Sequence, residues 1–314
     1  MTATRSRRTG VRMKTHAKVN LFLRVLGRRT DGYHEIETIL HGTALADELE
    51  LRATSSGAID VDMTLAGGLR GPLPSPAEDL VARAGRIVTD AALRSGRAGP
   101  AAAGGRWGAV IRVVKHVPIG AGLGGGSSNA AGTLVALNEL CGGPLSGAEL
   151  ASRAALLGSD VPYFLEGGTA LATSRGEEIT PLVSTSTLWL VLGISHAPLA
   201  TGEVYAAWDA VGSPSVNAAP LVMALGAGDA VEIGSLLHND LETAAFRLRP
   251  GLARAKEAML AAGSVGAAMS GSGPTIFGIA RDQTHARVLA ARVEDAFDLV
   301  VVTCSHEPSL EYLH

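Results

Sequence analysis

Three things are scarce in this chain of 314 residues. Cysteine is the first: there are two, Cys141 and Cys304. They make neither a metal cluster nor a disulfide framework, and they read as small buried hydrophobes in a reducing compartment. An excess of positive charge is the second. Lys and Arg total 27 against 30 Asp and Glu, a formal net charge of −3, so no basic field points to nucleic acid. A long apolar run is the third. The longest strongly apolar stretch, around Leu188 to Ile194, is far short of the roughly 20 residues that a membrane helix needs. The first residues carry Arg5, Arg7, Arg8 and Arg12 with no apolar segment behind them, and a signal peptide requires one. A cytoplasmic protein is expected, contacting neither membrane nor nucleic acid. Residues 1–12 read as a basic, flexible extension, with Met13 as an alternative start.

What remains is globular: 46% hydrophobic and 18% charged, in a length that suits two domains or one large one. From Ala17 to Val25 the chain alternates. Ala17, Val19, Leu21, Leu23 and Val25 share one face, and Lys18, Asn20, Phe22 and Arg24 share the other. The pattern predicts a half-buried strand with Lys18 and Asn20 side by side. Arg28-Arg29-Thr30-Asp31-Gly32 reads as a turn. Further strands are expected at Asp47 to Arg52, Ala58 to Leu65, Trp107 to Lys115, Leu188 to Ser195, Thr275 to Ala280 and Leu299 to Cys304. Helical spacing predicts Asp79 to Leu93, Ser127 to Cys141 with a core stripe of Ala130, Leu134, Leu137 and Cys141, and a helix from Ser146 to Gly158 opened by a Ser146/Glu149 capping box. Later helices are predicted near Val204 to Val211, Asn217 to Ala227, Ala230 to Phe246 and Leu252 to Ala262. One more falls between the last two strands. Gly96 to Gly105 reads as a loop.

The segment Pro118, Ile119, Gly120, Ala121, Gly122, Leu123, Gly124, Gly125, Gly126, Ser127, Ser128 carries five glycines in seven residues between a strand and a helix. Small residues let backbone N–H groups approach phosphate oxygens, and the helix that follows aims its positive end at the same anion. Ser127 and Ser128 can cap that helix, bind phosphate or reach a metal ion. The loop is therefore read as a cradle for a nucleotide's phosphates. Gly120, Gly122 and Gly125 also fit G-x-G-x-x-G, which raises a dinucleotide-binding oxidoreductase. That fold needs an acid ending a strand about twenty residues on, and no strand intervenes here. No Gly-Lys-Ser/Thr follows the glycines, which excludes a P-loop. His-Arg-Asp and Asp-Phe-Gly are absent, which excludes a protein kinase. A second small-residue stretch, Met269-Ser-Gly-Ser-Gly-Pro274, is a candidate second wall of the site.

Phosphoryl transfer asks mainly for positioning and charge compensation. A carboxylate near the acceptor hydroxyl can take its proton, and a lysine can orient that carboxylate. Asp160, between a helix end and Pro162, and Lys18, on its strand, are candidates. Read alone, each is more often an ordinary solvated residue.

At this point three stretches resemble the superfamily of galactokinase, homoserine kinase and mevalonate kinase, the GHMP kinases. They are the strand with Lys18, the loop from Gly122 to Ala131, and Gly271-Ser-Gly-Pro274. The closer resemblance is to the 4-diphosphocytidyl-2-C-methyl-D-erythritol kinase family. It rests on Ala17-Lys-Val-Asn-Leu21, Arg29-Thr-Asp-Gly-Tyr-His34 with Thr38, Leu157-Gly-Ser-Asp-Val-Pro162 and Asn239-Asp-Leu-Glu242, and covers nearly the whole chain from about residue 14. The resemblance implies an α+β fold in two domains. The first, residues 13–178, would be like ribosomal protein S5 domain 2. The second, residues 179–314, would be ferredoxin-like. It implies ATP and Mg²⁺, the latter met through ATP with Ser128 as the contact. Lys18 and Asp160 would be the catalytic pair, acting on the C2 hydroxyl of the family's substrate. Asn20 would hold that substrate, with Tyr33 and His34 at its cytosine and Tyr205 as a second ring over the base. A monomer or weak homodimer is expected. One departure stands out: the family commonly has Asn-Leu where this chain has Asp79-Leu80, near the adenine pocket. Another kinase of the superfamily, of homoserine or mevalonate type, stays open as an alternative.

Overall fold

The computed structural model describes residues 9–97, 99, 105–196, 199–212 and 216–313. In chain order the first half runs β1 (Gly10–Arg28), β2 (His34–Thr54), β3 (Ile59–Leu65), α1 (Leu80–Arg94), β4 (Gly108–Lys115), α2 (Gly125–Leu140), α3 (Gly147–Leu157), α4 (Tyr163–Glu166), β5 (Thr169–Thr173) and β6 (Glu178–Leu182). The second half follows with β7 (Trp189–Ile194), α5 (Thr201–Asp209), α6 (Ala219–Ala227), α7 (Ala230–Ser235), β8 (His238–Asn239), α8 (Glu242–Leu248), α9 (Pro250–Ala261), β9 (Gly266–Met269), β10 (Ile276–Ala280), α10 (Gln283–Val293), β11 (Leu299–Cys304) and β12 (Leu310–Leu313). Two sheets result. One has the path β12-β1-β2-β4-β3, with β5 and β6 extending from β2 and β8 lying beside β1; the other is a four-stranded antiparallel sheet ordered β11-β7-β10-β9. The fold is α+β, as expected.

The first strand departs from the expected half-burial. Lys18, Asn20 and Phe22 are as buried as Ala17, Val19 and Leu21. Both faces are covered. Met13, earlier on the strand, joins a core with α1 and α2, while Ala17, Val19, Leu21 and Phe22 join one with β7 and β10 of the second sheet. Register shifts between His16 and Lys18, Asn20 and Phe22, and Val25 and Gly27 bend β1 against β2. Such bulges re-aim side chains. The strand also starts earlier than expected. Arg12 pairs with Leu313, so it belongs to β1 and not to an extension; Arg5, Arg7 and Arg8 lie outside the described residues.

Helix α2 shows more than a core stripe. Ala130, Leu134, Leu137 and Cys141 are buried as expected, and so are Ala131, Gly132, Thr133 and Ala136. A helix buried nearly all round needs small residues on the side that meets a sheet, and a Cβ on Gly132 would press on Thr15 and Met13 of β1. Cys304, by contrast, is only half-buried on β11. The helix predicted over Ala230 to Phe246 is broken in two by β8. Asn239 turns its side chain on the backbone there: Nδ2 donates to the Met269 and Gly271 carbonyls, 2.7 and 2.8 Å away, and Oδ1 accepts from Leu241 N. An Asn that bonds backbone in this way competes with the helix. The cut at 178/179 falls on the first residue of β6, and the chain returns to the first sheet through β8 and β12. Much of the 96–105 segment lies outside the described residues.

His41 on β2 ties these parts together. Its ring nitrogens bond Thr169 Oγ1 and Ser305 Oγ, each at 2.8 Å, and burial lowers its pKa from 6.5 to about 4. Unfolded, His41 takes up a proton as pH falls through 6.5; folded, it resists until about 4. Its contribution is therefore present above pH 6.5 and is lost as pH falls toward 4, a difference of about 3 kcal/mol. Urea unfolding over this range is expected to show a flatter pH dependence in His41→Gln than in the wild type, and equal slopes would remove His41 from the acid response.

Candidate active site

Lys18 is the centre of the site. Buried on β1, its ammonium donates to Asn20 Oδ1 at 2.7 Å and to the Gly122 carbonyl at 3.0 Å, and it faces Asp160 Oδ2 at 3.4 Å. An ammonium has three protons and accepts nothing; two of them are hydrogen-bonded, and the Asp160 carboxylate pairs with the charge, so the three partners come from three segments. Asp160 lies between α3 and α4 and keeps 36% of its side-chain surface. Asn20 is equally committed. Its Nδ2 donates to Thr38 Oγ1 at 2.8 Å, and Thr38 Oγ1 donates to the Phe22 carbonyl at 2.6 Å. Ser270, in the second small-residue stretch, donates from Oγ to the Gly122 carbonyl at 2.9 Å. The two glycine-containing stretches thus close on each other over β1.

The glycine loop takes its shape from close approach. Gly122 and Gly124 have φ of 76° and 71°, a region costly for residues with a Cβ. A Cβ at Gly122 would overlap the Ser270 carbonyl oxygen, and one at Gly124 would come 2.7 Å from Phe164 Cζ and 3.1 Å from Lys18 Cγ. Gly124 is the N-cap of α2 and offers no side chain to its first N–H groups, which leaves them for an anion. Below the loop, the Asp47 carboxylate is fully buried. It pairs with Lys115 Nζ and accepts the His116 and Val117 N–H groups at 2.7 and 2.8 Å. Asn129 of α2 accepts from Lys115 Nζ at 2.9 Å and donates to Asp47 and Thr15. The strand's exit into the loop and the helix after it are fixed by one network. Losing one partner of such a buried pair costs about 3–5 kcal/mol.

Two clefts meet along the loop. One, of about 820 Å³, is lined by Lys18, Asn20 and Asp160 together with Tyr33, His34 and Tyr205. The second, of about 590 Å³, runs between the loop and an apolar wall of Met63, Leu73, Leu80 and Val81. Gly120, Gly122, Gly124, Ser127 and Thr201 line both.

Comparison with known proteins identifies the family. Residues 83–168 match the GHMP kinases N terminal domain and residues 221–299 match the GHMP kinases C terminal domain. The 4-diphosphocytidyl-2-C-methyl-D-erythritol kinase of Pelotomaculum thermopropionicum is 41% identical over 295 residues, 94% of this chain and 97% of the relative. That of Moorella thermoacetica is 39% identical over 93% and 97%. The chain belongs to the 4-diphosphocytidyl-2-C-methyl-D-erythritol kinase family. A crystal structure of a 4-(cytidine 5'-diphospho)-2C-methyl-D-erythritol kinase superposes with a TM-score of 0.75 at 34% identity, covering 94% of this chain and 98% of that one. A homoserine kinase from Cytophaga hutchinsonii shares the fold, with a TM-score of 0.72 at 22% identity over the whole of both chains.

The geometry of this kinase refines the sequence expectations. Neither serine of the loop caps α2, because Gly124 holds that position. Ser128 is fully buried, and its Oγ has no hydrogen-bond partner among the described residues. Ser127 is the serine that lines the clefts. Asp79 caps α1, with Oδ1 accepting from Val81 N at 2.9 Å. Asp and Asn serve equally as N-caps, so the departure from Asn leaves the helix start intact. Tyr205 stacks on His34, with centroids 4.7 Å apart, while Tyr33 is 55% exposed and carries the Arg175 guanidinium 5.0 Å from its centroid. Burial, with the Asp160 charge adding to it, pushes the Tyr205 phenol up. Three cleft residues carried no signal in the sequence. Asp209 bonds His34 Nε2 at 2.7 Å, and Arg28 and Arg175 place cations on the same wall. All three sit in segments that read as ordinary charged surface.

Gly122→Ala is expected to destabilise the kinase by more than about 1 kcal/mol, since both φ and space are violated. Gly126→Ala, with no atom within 4 Å of its Cβ, is expected to unfold like the wild type. Thermal unfolding of the two variants checks this, and equal melting temperatures would refute the close-approach account of the loop.

Proposed function

We propose that this chain transfers the γ-phosphoryl group of ATP to the C2 hydroxyl of 4-diphosphocytidyl-2-C-methyl-D-erythritol, in the non-mevalonate isoprenoid pathway. The observation that carries the reading is the Lys18–Asp160 pair, 3.4 Å apart in the first cleft, with Lys18 bonded to Gly122 on the edge that the two clefts share. Asp160 takes the proton of the acceptor hydroxyl, whose oxygen then attacks the γ-phosphorus as ADP leaves. Lys18 cannot drift, because Asn20 and Gly122 hold it, so it keeps one Asp160 oxygen engaged and leaves the other for the hydroxyl. General-base help of this kind is worth about 10²–10⁴ in rate.

ATP lies in the second cleft, its phosphates on the free N–H groups of the loop and of α2 and its base against the apolar wall near Asp79 and Leu80. The donors at the shared edge suit Mg²⁺. This hard ion takes oxygen ligands and binds largely through phosphates, one or two carboxylates and water. Ser127 on that edge and Asp160 in the first cleft would hold it, and the ion would supply charge neutralisation on the phosphates.

The cytosine end is read by rings and polarity. With Nε2–H donated to Asp209, His34 keeps Nδ1 as an acceptor, which suits an exocyclic amine. Tyr205 and Tyr33 offer faces for stacking, and Arg28 and Arg175 offer charge to the diphosphate. The kinase works in the cytoplasm as a monomer or weak homodimer.

Asp160→Asn is expected to lower kcat by about 10²–10⁴ with ATP binding retained, read by coupled ADP release and nucleotide titration. Near-normal turnover would take Asp160 out of the mechanism. Tyr205→Ala is expected to raise KM for the cytidine substrate about tenfold, in keeping with stacking of about 1–3 kcal/mol, and to leave KM for ATP unchanged. An ATP-consumption assay offering this substrate, homoserine and mevalonate tests specificity; turnover of only the latter two would sink it.

A further inference from the structure

His16, His306 and Glu311 come together where the C-terminal strand lies on β1. His16 is on β1, Glu311 on β12, paired through the register of Lys14 with Glu311, and His306 in the segment between β11 and β12. None of the three lines either cleft of the active site. One nitrogen or carboxylate oxygen from each lies within 4.8 Å of the others. His16 Nε2 is 3.4 Å and His306 Nε2 3.9 Å from Glu311 Oε2.

The protonation of His16 follows from its other nitrogen. His16 Nδ1 lies 3.1 Å from the Thr43 carbonyl, and a carbonyl only accepts. Nδ1 therefore carries the proton, and Nε2 presents a lone pair toward Glu311. This is the outer-shell arrangement that fixes metal-binding imidazoles. On the other side, His306 Nε2 is buried and has no hydrogen-bond partner among the described residues. A buried polar atom without a partner is rare and calls for a reason. Two imidazole nitrogens and a carboxylate oxygen within 4.8 Å of one another have a common remedy in a cation.

We propose that His16, His306 and Glu311 form a binding site for a divalent transition-metal ion of the Zn²⁺ type. Two imidazoles and a carboxylate are a ligand set for such an ion, with water in a fourth position, and ill-suited to Mg²⁺. At Zn–N and Zn–O lengths of about 2.0–2.2 Å, tetrahedral ligands sit about 3.3 Å apart. The His16–Glu311 distance of 3.4 Å is close to this, and the His306–Glu311 distance of 3.9 Å is longer and must shorten when an ion binds. The imidazoles are stacked, with centroids 3.8 Å apart and planes at 21°, so their lone pairs run side by side and one ring must turn for both to meet one ion. His306 is the ring with room to turn, since 28% of its side chain is exposed against 3% for His16. Lys14 and Glu307 bring one charge of each sign near His306, so the local field leaves the Glu311 carboxylate as the charge that decides. A bound ion would pin β12 and the segment before it to β1.

Titration of the chelator-treated full chain with Zn²⁺ in a calorimeter tests the site. One ion per chain is expected from this site. Loss of an outer-shell partner alone costs about 10–100-fold in affinity, so His306→Ala and Glu311→Gln, which remove direct ligands, are each expected to weaken binding at least about 100-fold. Zn²⁺ is also expected to raise the unfolding temperature of the wild type and not that of Glu311→Gln, a substitution that keeps side-chain shape. No Zn²⁺ binding by the wild type, or binding left unchanged by either substitution, overturns the proposal.

Discussion

The ammonium of Lys18 is the contact on which the rest of the site depends. Taking a charge out of water costs several kcal/mol, and the cost is offset here by three partners that belong to a strand, a glycine loop and the turn after α3. Hydrogen bonds to a charged group are worth about 1.5–3 kcal/mol each. Since the three partners come from segments far apart in sequence, the same energy that stabilises the charge sets the distance between the loop and Asp160. Folding and preorganisation are one event at this point.

A second buried ion pair does for the loop what Lys18 does for the carboxylate. Asp47 accepts the first two N–H groups after β4 and holds Lys115, while Asn129 brings in α2. The loop is glycine-rich yet not loose. It is held below by this network and above by Ser270 and Phe164, close enough that Gly122 and Gly124 have no room for a Cβ. Asn239 extends the same logic to the second stretch, whose carbonyls it binds after interrupting what would otherwise be a continuous helix.

Much of this was legible in residue patterns, and the failures have physical causes. The alternation from Ala17 to Val25 located β1 and put Lys18 beside Asn20. It misjudged burial, because a strand covered by helices on one side and by a second sheet on the other still alternates when its polar residues are needed inside. The spacing over Ala230 to Phe246 is helical, but helical periodicity is blind to a side chain that finds backbone partners thirty residues away. The serines after the glycines looked like caps because Ser is a common cap; a glycine in the left-handed conformation had already taken the position. Arg28, Arg175 and Asp209 gave no signal, since a charged residue in a cleft and one in solvent are written alike.

By itself the sequence determined most of the element types, the glycine-rich turn between a strand and a helix, and the residue types available for chemistry. Those follow from local physics: side-chain period, glycine's freedom at positive φ, and the dipole of the helix that follows. Only the tertiary structure decided that Lys18 meets Asp160, that Ser127 and not Ser128 faces the clefts, that Tyr205 stacks on His34, and that His16 meets His306 and Glu311. These are contacts between segments more than a hundred residues apart, apart from the neighbouring serines. Burial and three-dimensional direction set them, and neither is encoded in spacing along a chain.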